Sequence, residues 1–290
     1  MKRVTQLVAG VLALGLLSAC GSGAVSDLGA ASLALAQDEI GVWAVTTTSD
    51  DEAPMGEITL ADGSIGSDTT SVVIAGSVVT ITAGGTYRLS GSLSDGAIVV
   101  DAGDTQTVNL LLAGVDVTNL DGPAFEVVSA ESVVIDLEND TSNHLAEGTR
   151  RSGAQAVSAV VSSASDLKIN GEGDLTIRAN TGDGVWVEAG LAITGGTIDV
   201  MAQGDGIGAV DYIVLGAPDL TIISDGAGMT STMTVDPDLG YISIAGGSYT
   251  IDAVGDAIVA GSDLYIYAGE FEVTGGGANV SADSSRVSLP

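Results

Sequence analysis

The sequence predicts an all-β fold, a parallel β-helix (β-solenoid) with roughly ten rungs of about 22 residues each. Gly-Asp or Asp-Gly pairs recur in the C-terminal half with steps of 22, 20 and 31 residues. Short stretches of branched residues recur with nearly the same steps, and 41 glycines accompany only 3% aromatic residues. Many glycines and few large rings favour thin stacked β layers, so all three observations indicate one coiled architecture.

The N-terminus predicts an export signal with a lipidation site. Lys2 and Arg3 precede an apolar stretch at residues 7–17, which ends in Leu-Ser-Ala before Cys20, the single cysteine. Eleven apolar residues are too few to span a bilayer, which needs roughly 20. Residues 1–19 resemble a bacterial lipoprotein signal peptide, which implies lipid on Cys20. The alternative is an ordinary signal peptide with an unmodified cysteine.

We predict that residues 20–57 form a flexible tether and that residues 58–290 form the solenoid domain. The tether is small, polar and acidic and shows no sustained periodicity. Period-two strands bounded by glycines then begin, for example at residues 79–82 and 108–112. No useful helical periodicity follows the signal peptide.

Four later units align with one another and support the repeat. Each begins with a short apolar strand and ends in small residues, at 191–196, 212–217, 242–247 and 264–269. Their starts differ by 21, 30 and 22 residues, close to the steps of the aspartates. The longer step predicts a loop near residues 230–240 that protrudes from one corner.

The recurring aspartates are candidate metal ligands. They are Asp183, Asp205, Asp225 and Asp256. Stacked carboxylates about 5 Å apart repel by roughly 0.8 kcal/mol even in water, and Ca²⁺ suits such oxygen ligands. The alternative is ordinary turn chemistry, in which glycine supplies a positive φ and aspartate caps a backbone amide.

Three aromatic residues are candidate carbohydrate contacts. Alternation along the predicted strands directs Trp186 outward between two inward valines, and directs Tyr265 and Tyr267 outward beside Ile266. An exposed ring next to an acidic corner suits the apolar face of a sugar. The alternative is that each ring packs under a loop.

Catalytic candidates are few. His144 is the single histidine and is predicted to lie in a turn, and no motif of a nucleophile triad surrounds it. A calcium-dependent β-elimination would need a cationic base, for which Lys168 and Arg178 are available, but solvated surface charge is the simpler interpretation. We predict no catalytic residues.

The charge balance limits the partners. With 8 basic and 38 acidic residues the formal charge is -30. Nucleic acids and anionic lipid surfaces would be repelled, whereas divalent cations are attracted.

Ordered motifs across residues 58–277 resemble the bacterial carbohydrate-binding β-helix family. They include Gly-Thr-Tyr-Arg-Leu-Ser-Gly at 85–91, the strand and turn at 108–119, the unit at 166–177 and Asp183-Gly184-Val185. The resemblance implies a right-handed single-stranded parallel β-helix like that of pectate lyases, together with calcium and the binding of cellulose or acidic pectin-like glycans. At two corners this chain has Gly-Asp-Gly where the family often has Asp-Asp-Gly.

Together these observations predict a polysaccharide-binding lipoprotein of the bacterial cell envelope, anchored at the outer membrane or cell surface through Cys20. We expect calcium to assist binding and no enzyme activity. A calcium-dependent polysaccharide lyase and a non-catalytic adhesin or structural stalk are the alternatives.

Overall fold

The computed structural model describes residues 4–8, 54–148, 159–236, 238–274, 277–282 and 287–288, with side chains for 54–148, 159–236 and 238–274. All regular structure in these ranges is β-strand, and the strands form one continuous hydrogen-bonded sheet that coils into a solenoid. None of these residues forms a helix with the length and hydropathy needed to cross a membrane.

The coil has three faces, each a ladder of parallel strands, and long strands bend across corners to contribute to two faces or, in the case of β7 (Ala97–Asn119), to all three. Face A contains β5 (Val78–Ile81), β7 (Ala97–Asn119), β8 (Phe125–Leu137), β10 (Ala159–Ser163), β13 (Asp183–Val187), β16 (Ile207–Ala209), β19 (Met229–Ser231), β22 (Asp256–Ala260) and β25 (Gly277–Ala282). Face B contains β2 (Gly56–Leu60), β6 (Gly85–Leu93), parts of β7 and β8, β11 (Asp166–Gly171), β14 (Gly190–Ile193), β17 (Tyr212–Leu215), β20 (Tyr241–Ile244), β23 (Leu264–Ile266) and β26 (Val287–Ser288). Face C contains parts of β6 and β7, then β9 (Ser142–Glu147), β12 (Asp174–Ala179), β15 (Thr197–Ala202), β18 (Asp219–Ser224), β21 (Ser248–Ala253) and β24 (Glu270–Thr274).

Antiparallel strands are added at both ends of the ladders. β3 (Gly66–Ser67) pairs with β2, and β4 (Val72–Ala75) pairs with β5. β1 (Val4–Val8), inside the predicted signal peptide, pairs with β24. The rest of that segment, Cys20 and nearly all of the predicted tether lie outside the described residues.

Strict alternation explains the interior. In β15 the inward Ile198 and Val200 are buried while the intervening residues are exposed. The register then places the apolar side chains of successive rungs on one another. On face A the successive partners are Val161, Val185, Ile207 and Met229, each at most 1% exposed. Because most inward side chains are aliphatic and lie on one another one rung away, at about 4.8 Å, the core is a continuous column with few large rings.

Besides the fully buried rings of Tyr87 and Phe125, the aromatic pair Tyr249 and Phe271 packs in this column. Their rings stack with centroids 4.8 Å apart, and the Tyr249 hydroxyl donates to the Gly246 carbonyl at the neighbouring corner. Burial raises the pKa of this hydroxyl well above its ordinary value. The buried phenol is therefore neutral and hydrogen-bonded, as a core position requires.

The all-β solenoid predicted from the repeat is confirmed, with one shift at the insertion. Thr230 belongs to β19 and is buried, so the protruding loop begins at Thr232. Its base is closed because Ser231 Oγ donates to the Gly240 carbonyl (2.5 Å) and Ser262 Oγ to that of Leu239 (2.6 Å). The insertion thus leaves the parallel register on both sides intact.

Candidate functional site

Carboxylates line the corner between faces C and A, and each one caps the backbone of a neighbouring turn. Asp183 Oδ1 accepts from the Asp205 amide, and Asp205 Oδ1 from the Ala227 amide, both at 2.7 Å. One turn earlier, Glu147 Oε1 accepts from the Gly182 amide and from both the amide and hydroxyl of Thr181. We call Glu147, Asp183 and Asp205 the carboxylate column.

The glycines of this corner provide space. A Cβ on Gly204 would lie 2.1 Å from Asp183 Oδ1, and one on Gly226 would lie 2.2 Å from Asp205 Oδ1. Gly204 does not have the positive φ that turn chemistry predicts. The Gly-Asp pair is therefore a unit in which the glycine admits the carboxylate of the turn before, so that it can reach the next amide.

Asp225 lies in the turn at this corner, between β18 and β19, but it is not in register with Asp183 and Asp205. Ile207 pairs with Met229, which puts Ala227 in register with Asp205 and leaves Asp225 two residues away, exposed to solvent. Asp256 does fall in register, because Met229 pairs with Ile258. The sequence step of 20 residues indicated the mismatch, since the step to the register position is a full 22.

Negative potential is concentrated at Asp183. Burial raises the pKa of its carboxyl, and the charges of Asp205 and Glu147 raise it further, while the hydrogen bond from the Asp205 amide opposes the shift. In the part of the chain that the structure describes, no three His, Cys, Asp or Glu side chains converge closely enough to hold a metal ion. These residues do not fit a calcium site made of side chains alone, and calcium binding here stays a prediction.

Trp186 lies on the outside of face A, as its alternation predicts, but its ring is packed on the neighbouring turn. It is partly exposed, and its register partner is Gly208. A Cβ on Gly208 would lie 2.5 Å from Cε3 of the indole. The indole therefore occupies the space above a glycine, which is a packing arrangement as much as a surface one.

Tyr265 and Tyr267 also lie outward, as predicted, and two tyrosines that the sequence analysis did not select join them on face B. Tyr265 and Tyr267 stack with centroids 6.5 Å apart, and Tyr212 and Tyr241 with centroids 5.5 Å apart, each pair inclined by 15° or less. Tyr212 and Tyr241 are the first residues of β17 and β20 and are register partners, whereas the sequence alignment began the second of these units at residue 242 and so did not match the two tyrosines. We call these four residues the tyrosine surface.

Aspartates border the tyrosine surface. Asp263 Oδ2 accepts from the Tyr265 hydroxyl at 3.0 Å, while Asp166 Oδ1 accepts from the Gly190 amide at 2.9 Å and from the Tyr212 hydroxyl at 3.5 Å. Burial and the charges of Asp166 and Asp236 raise the pKa of the nearby Asp211. Burial, with Asp166 and Tyr265, raises the pKa of Tyr241 to about 12.

The structure corrects two predictions about possible catalytic groups. His144 lies in β9, not in a turn, and its Nδ1 is 3.0 Å from Asp116 Oδ1. Lys168 was predicted to be solvated, but it is only 2% exposed, and its register partners Val134 and Ala192 on the same side of face B are buried with it. Burial lowers the pKa of Lys168, and the charge of Asp136 partly opposes this shift.

Arg178 is exposed on face C, as predicted, with Nη1 2.7 Å from the sulfur of Met201. Arg88 donates two hydrogen bonds to the carboxylate of Glu138, at 2.6 and 3.3 Å.

Comparisons with known proteins agree with this architecture. Residues 75–289 match the model of a family described as carbohydrate-binding domain-containing protein. A protein of that description from Acetivibrio thermocellus is 30% identical over 209 residues, which covers 71% of this chain and 73% of the relative. The solved "polysaccharide lyase-like protein from C. thermocellum, gadolinium derivative" superposes with a TM-score of 0.76 at 29% identity, covering 79% of this chain and 94% of that one.

Proposed function

This chain belongs to the family of carbohydrate-binding domain-containing proteins, and from that premise we propose that it binds polysaccharide without transforming it. The family match carries the proposal, since it spans most of the solenoid. The outward rings of Tyr265 and Tyr267 on face B provide a surface of the kind that sugars contact, whereas the indole of Trp186 on face A packs over Gly208.

The polymers we propose are cellulose or acidic pectin-like glycans. The formal charge of -30 opposes approach of an anionic polymer, so an acidic glycan requires a bridging cation. Calcium suits this role because it accepts six to eight oxygen ligands in irregular geometry. A calcium ion at the carboxylate column would need oxygen ligands beyond these side chains, and the glycan's own carboxylates are of the right type.

Retention on insoluble cellulose and on immobilised polygalacturonate, each with and without calcium, tests this function. We expect retention on at least one polymer, and calcium dependence only on polygalacturonate. Failure to bind either polymer under both conditions would favour the stalk or adhesin. Isothermal titration with calcium alone separates cation binding by the protein from bridging by the glycan.

A polysaccharide lyase is the second candidate, because the similar solved structure is described as polysaccharide lyase-like. A base for β-elimination must reach the sugar. Burial lowers the pKa of Lys168, which is the direction that a base requires, yet the same burial keeps its side chain from the sugar. Incubation with polygalacturonate and calcium, followed by ultraviolet absorbance for unsaturated ends, decides between binding and cleavage.

For location we propose a lipid anchor on Cys20 in the bacterial cell envelope, at the outer membrane or cell surface. The order of Lys2, Arg3, the apolar stretch and Cys20 supports it. Mass spectrometry of the exported protein tests it. A diacylglycerol-modified Cys20 as the first residue, lost in a Cys20→Ser variant, is the expected result.

A further inference from the structure

We propose that the tyrosine surface is the polysaccharide-binding site and that it takes an uncharged glycan chain directly, without a cation. The inference rests on the proposed function and deepens it by assigning a face of the solenoid and a class of polymer. Trp186 and the carboxylate column, on and beside face A, then serve the fold.

Register and ring contacts make the tyrosine surface continuous. Ile242 pairs with Leu264, and Ser243 pairs with Tyr265, so Tyr241 and Tyr265 lie two positions apart on the same side of adjacent strands. Tyr212 pairs with Tyr241 one turn earlier. The two stacked pairs are thereby neighbours on one surface. Tyr212 and Tyr241 stack along the axis of the coil, whereas Tyr265 and Tyr267 stack along the chain direction.

Burial divides the surface into a floor and a contact layer. Tyr212 is 7% exposed and Ser243 1% exposed, whereas Tyr241, Tyr265 and Tyr267 are each partly exposed. A Cβ on Gly190 would lie 1.9 Å from Cζ of Tyr212, so that ring lies on the preceding turn and supports Tyr241. Three rings with fixed support can therefore contact a ligand at small cost in side-chain entropy.

Charge around the rings determines which glycan they accept. Asp166 and Asp263 accept from tyrosine hydroxyls, and Asp236 lies close enough for its charge to help raise the pKa of Asp211. A uronate brought among these carboxylates would be repelled, whereas sugar hydroxyls can donate hydrogen bonds to them. The surface is thus complementary to a neutral polymer that has both apolar ring faces and hydroxyl donors.

The dimensions of the solenoid also suit a polymer that lies along its axis. Successive turns are separated by about 4.8 Å, a distance similar to the length of one pyranose unit. A chain that runs along the axis from Tyr241 to Tyr265 therefore meets each of these two rungs with about one sugar, and the exposed rings of the two rungs can contact successive sugars.

Affinity electrophoresis in gels containing hydroxyethyl cellulose, run with a chelator, tests the assignment. The double variant Tyr265→Ala/Tyr267→Ala and the single variant Tyr241→Ala should each weaken binding about tenfold or more. Trp186→Ala is the matched aromatic control on the other face and should change affinity less than about twofold. Thermal unfolding of each variant shows whether it is folded.

A second measurement uses the wild-type chain and so does not depend on the variants folding. Hydroxyl-radical footprinting with mass spectrometry should show that hydroxyethyl cellulose protects Tyr241, Tyr265 and Tyr267 from oxidation, but not Trp186. Equal protection of Trp186, or unchanged oxidation of the three tyrosines while the polymer is bound, overturns the assignment. If the wild type binds no polysaccharide at all, the proposed function itself fails, which is a different result.

Discussion

The carboxylate of Asp183 accepts a hydrogen bond from the backbone amide of Asp205, 2.7 Å away and one turn further along the solenoid. Asp205 repeats the interaction with Ala227. Each aspartate thereby joins two rungs at a corner, where the strand ladders are interrupted. The repeat that resembles a metal motif is at least a structural clamp.

Asp183→Ala and Asp183→Asn should have different effects on stability. Alanine leaves the partly buried Asp205 amide without its acceptor, and we expect a loss of about 1–3 kcal/mol in the free energy of unfolding. Asparagine keeps an acceptor oxygen and removes a charge that burial disfavours, so it should cost less than half as much. Urea unfolding at neutral pH measures both. Equal losses would contradict a clamp based on the acceptor.

Gly204→Ala tests the space for that clamp. The new Cβ would lie 2.1 Å from Asp183 Oδ1 and 2.9 Å from the Gly182 carbonyl carbon, so we expect destabilisation of about 1–3 kcal/mol. In an Asp183→Ala background the tightest contact is absent. The double variant should therefore lose less stability than the sum of the single variants, as a double-mutant cycle in urea measures. Strict additivity would contradict the proposed fit.

The solenoid was predictable from sequence because one turn of the coil is one period of the chain. Alternation in units such as 197–202 identifies the inward residues, and the structure confirms them. The register between successive strands was harder to predict. Asp225 belongs to an Asp-Gly pair and so fits the repeat in the sequence, yet backbone pairing of Ile207 with Met229 excludes it from the carboxylate column.

Other features depend on contacts between turns, which a single sequence does not display. Lys168 has the alternation of a solvated residue, but burial also depends on what surrounds the outside of its face. The pairing of Tyr212 with Tyr241 spans a turn that an insertion makes longer than the others. That the two tyrosines stack is visible only when their strands are superposed.

Substitutions at Trp186 and Gly208 should have strongly non-additive effects on the free energy of unfolding. In the wild-type background Gly208→Ala places a Cβ 2.5 Å from the indole, and we expect the free energy of unfolding to fall by about 1–3 kcal/mol. In a Trp186→Ala background the nearest remaining contact is Thr230 Cγ2 at 3.5 Å, so Gly208→Ala should be neutral or slightly stabilising. Thermal and urea unfolding of the four proteins measure this reversal. A similar loss in both backgrounds would show that the indole does not occupy this space.

Stability should increase as the pH falls from 7 toward 5. The carboxyl pKa values of Asp183 and Asp211 are raised in the folded state above the ordinary 3.8. Between the unfolded and the raised folded pKa the native state binds more protons than the unfolded chain, so the free energy of unfolding falls as pH rises through that window. The cost of the buried charges is fully present above the folded pKa and is relieved as the pH drops through it.

Protonation of other carboxylates among the 38 acidic residues relieves repulsion in the same direction, so the two aspartates must be isolated by substitution. Asp183→Asn and Asp211→Asn should each flatten the dependence of Tm on pH, because they remove one titrating group, whereas Asp225→Asn, at an exposed position, should leave it unchanged. Differential scanning calorimetry in half-unit steps between pH 4.5 and 7.5, above the ordinary carboxyl pKa, measures this. Identical slopes in the wild type and both variants would mean that neither carboxyl titrates differently in the folded and unfolded states.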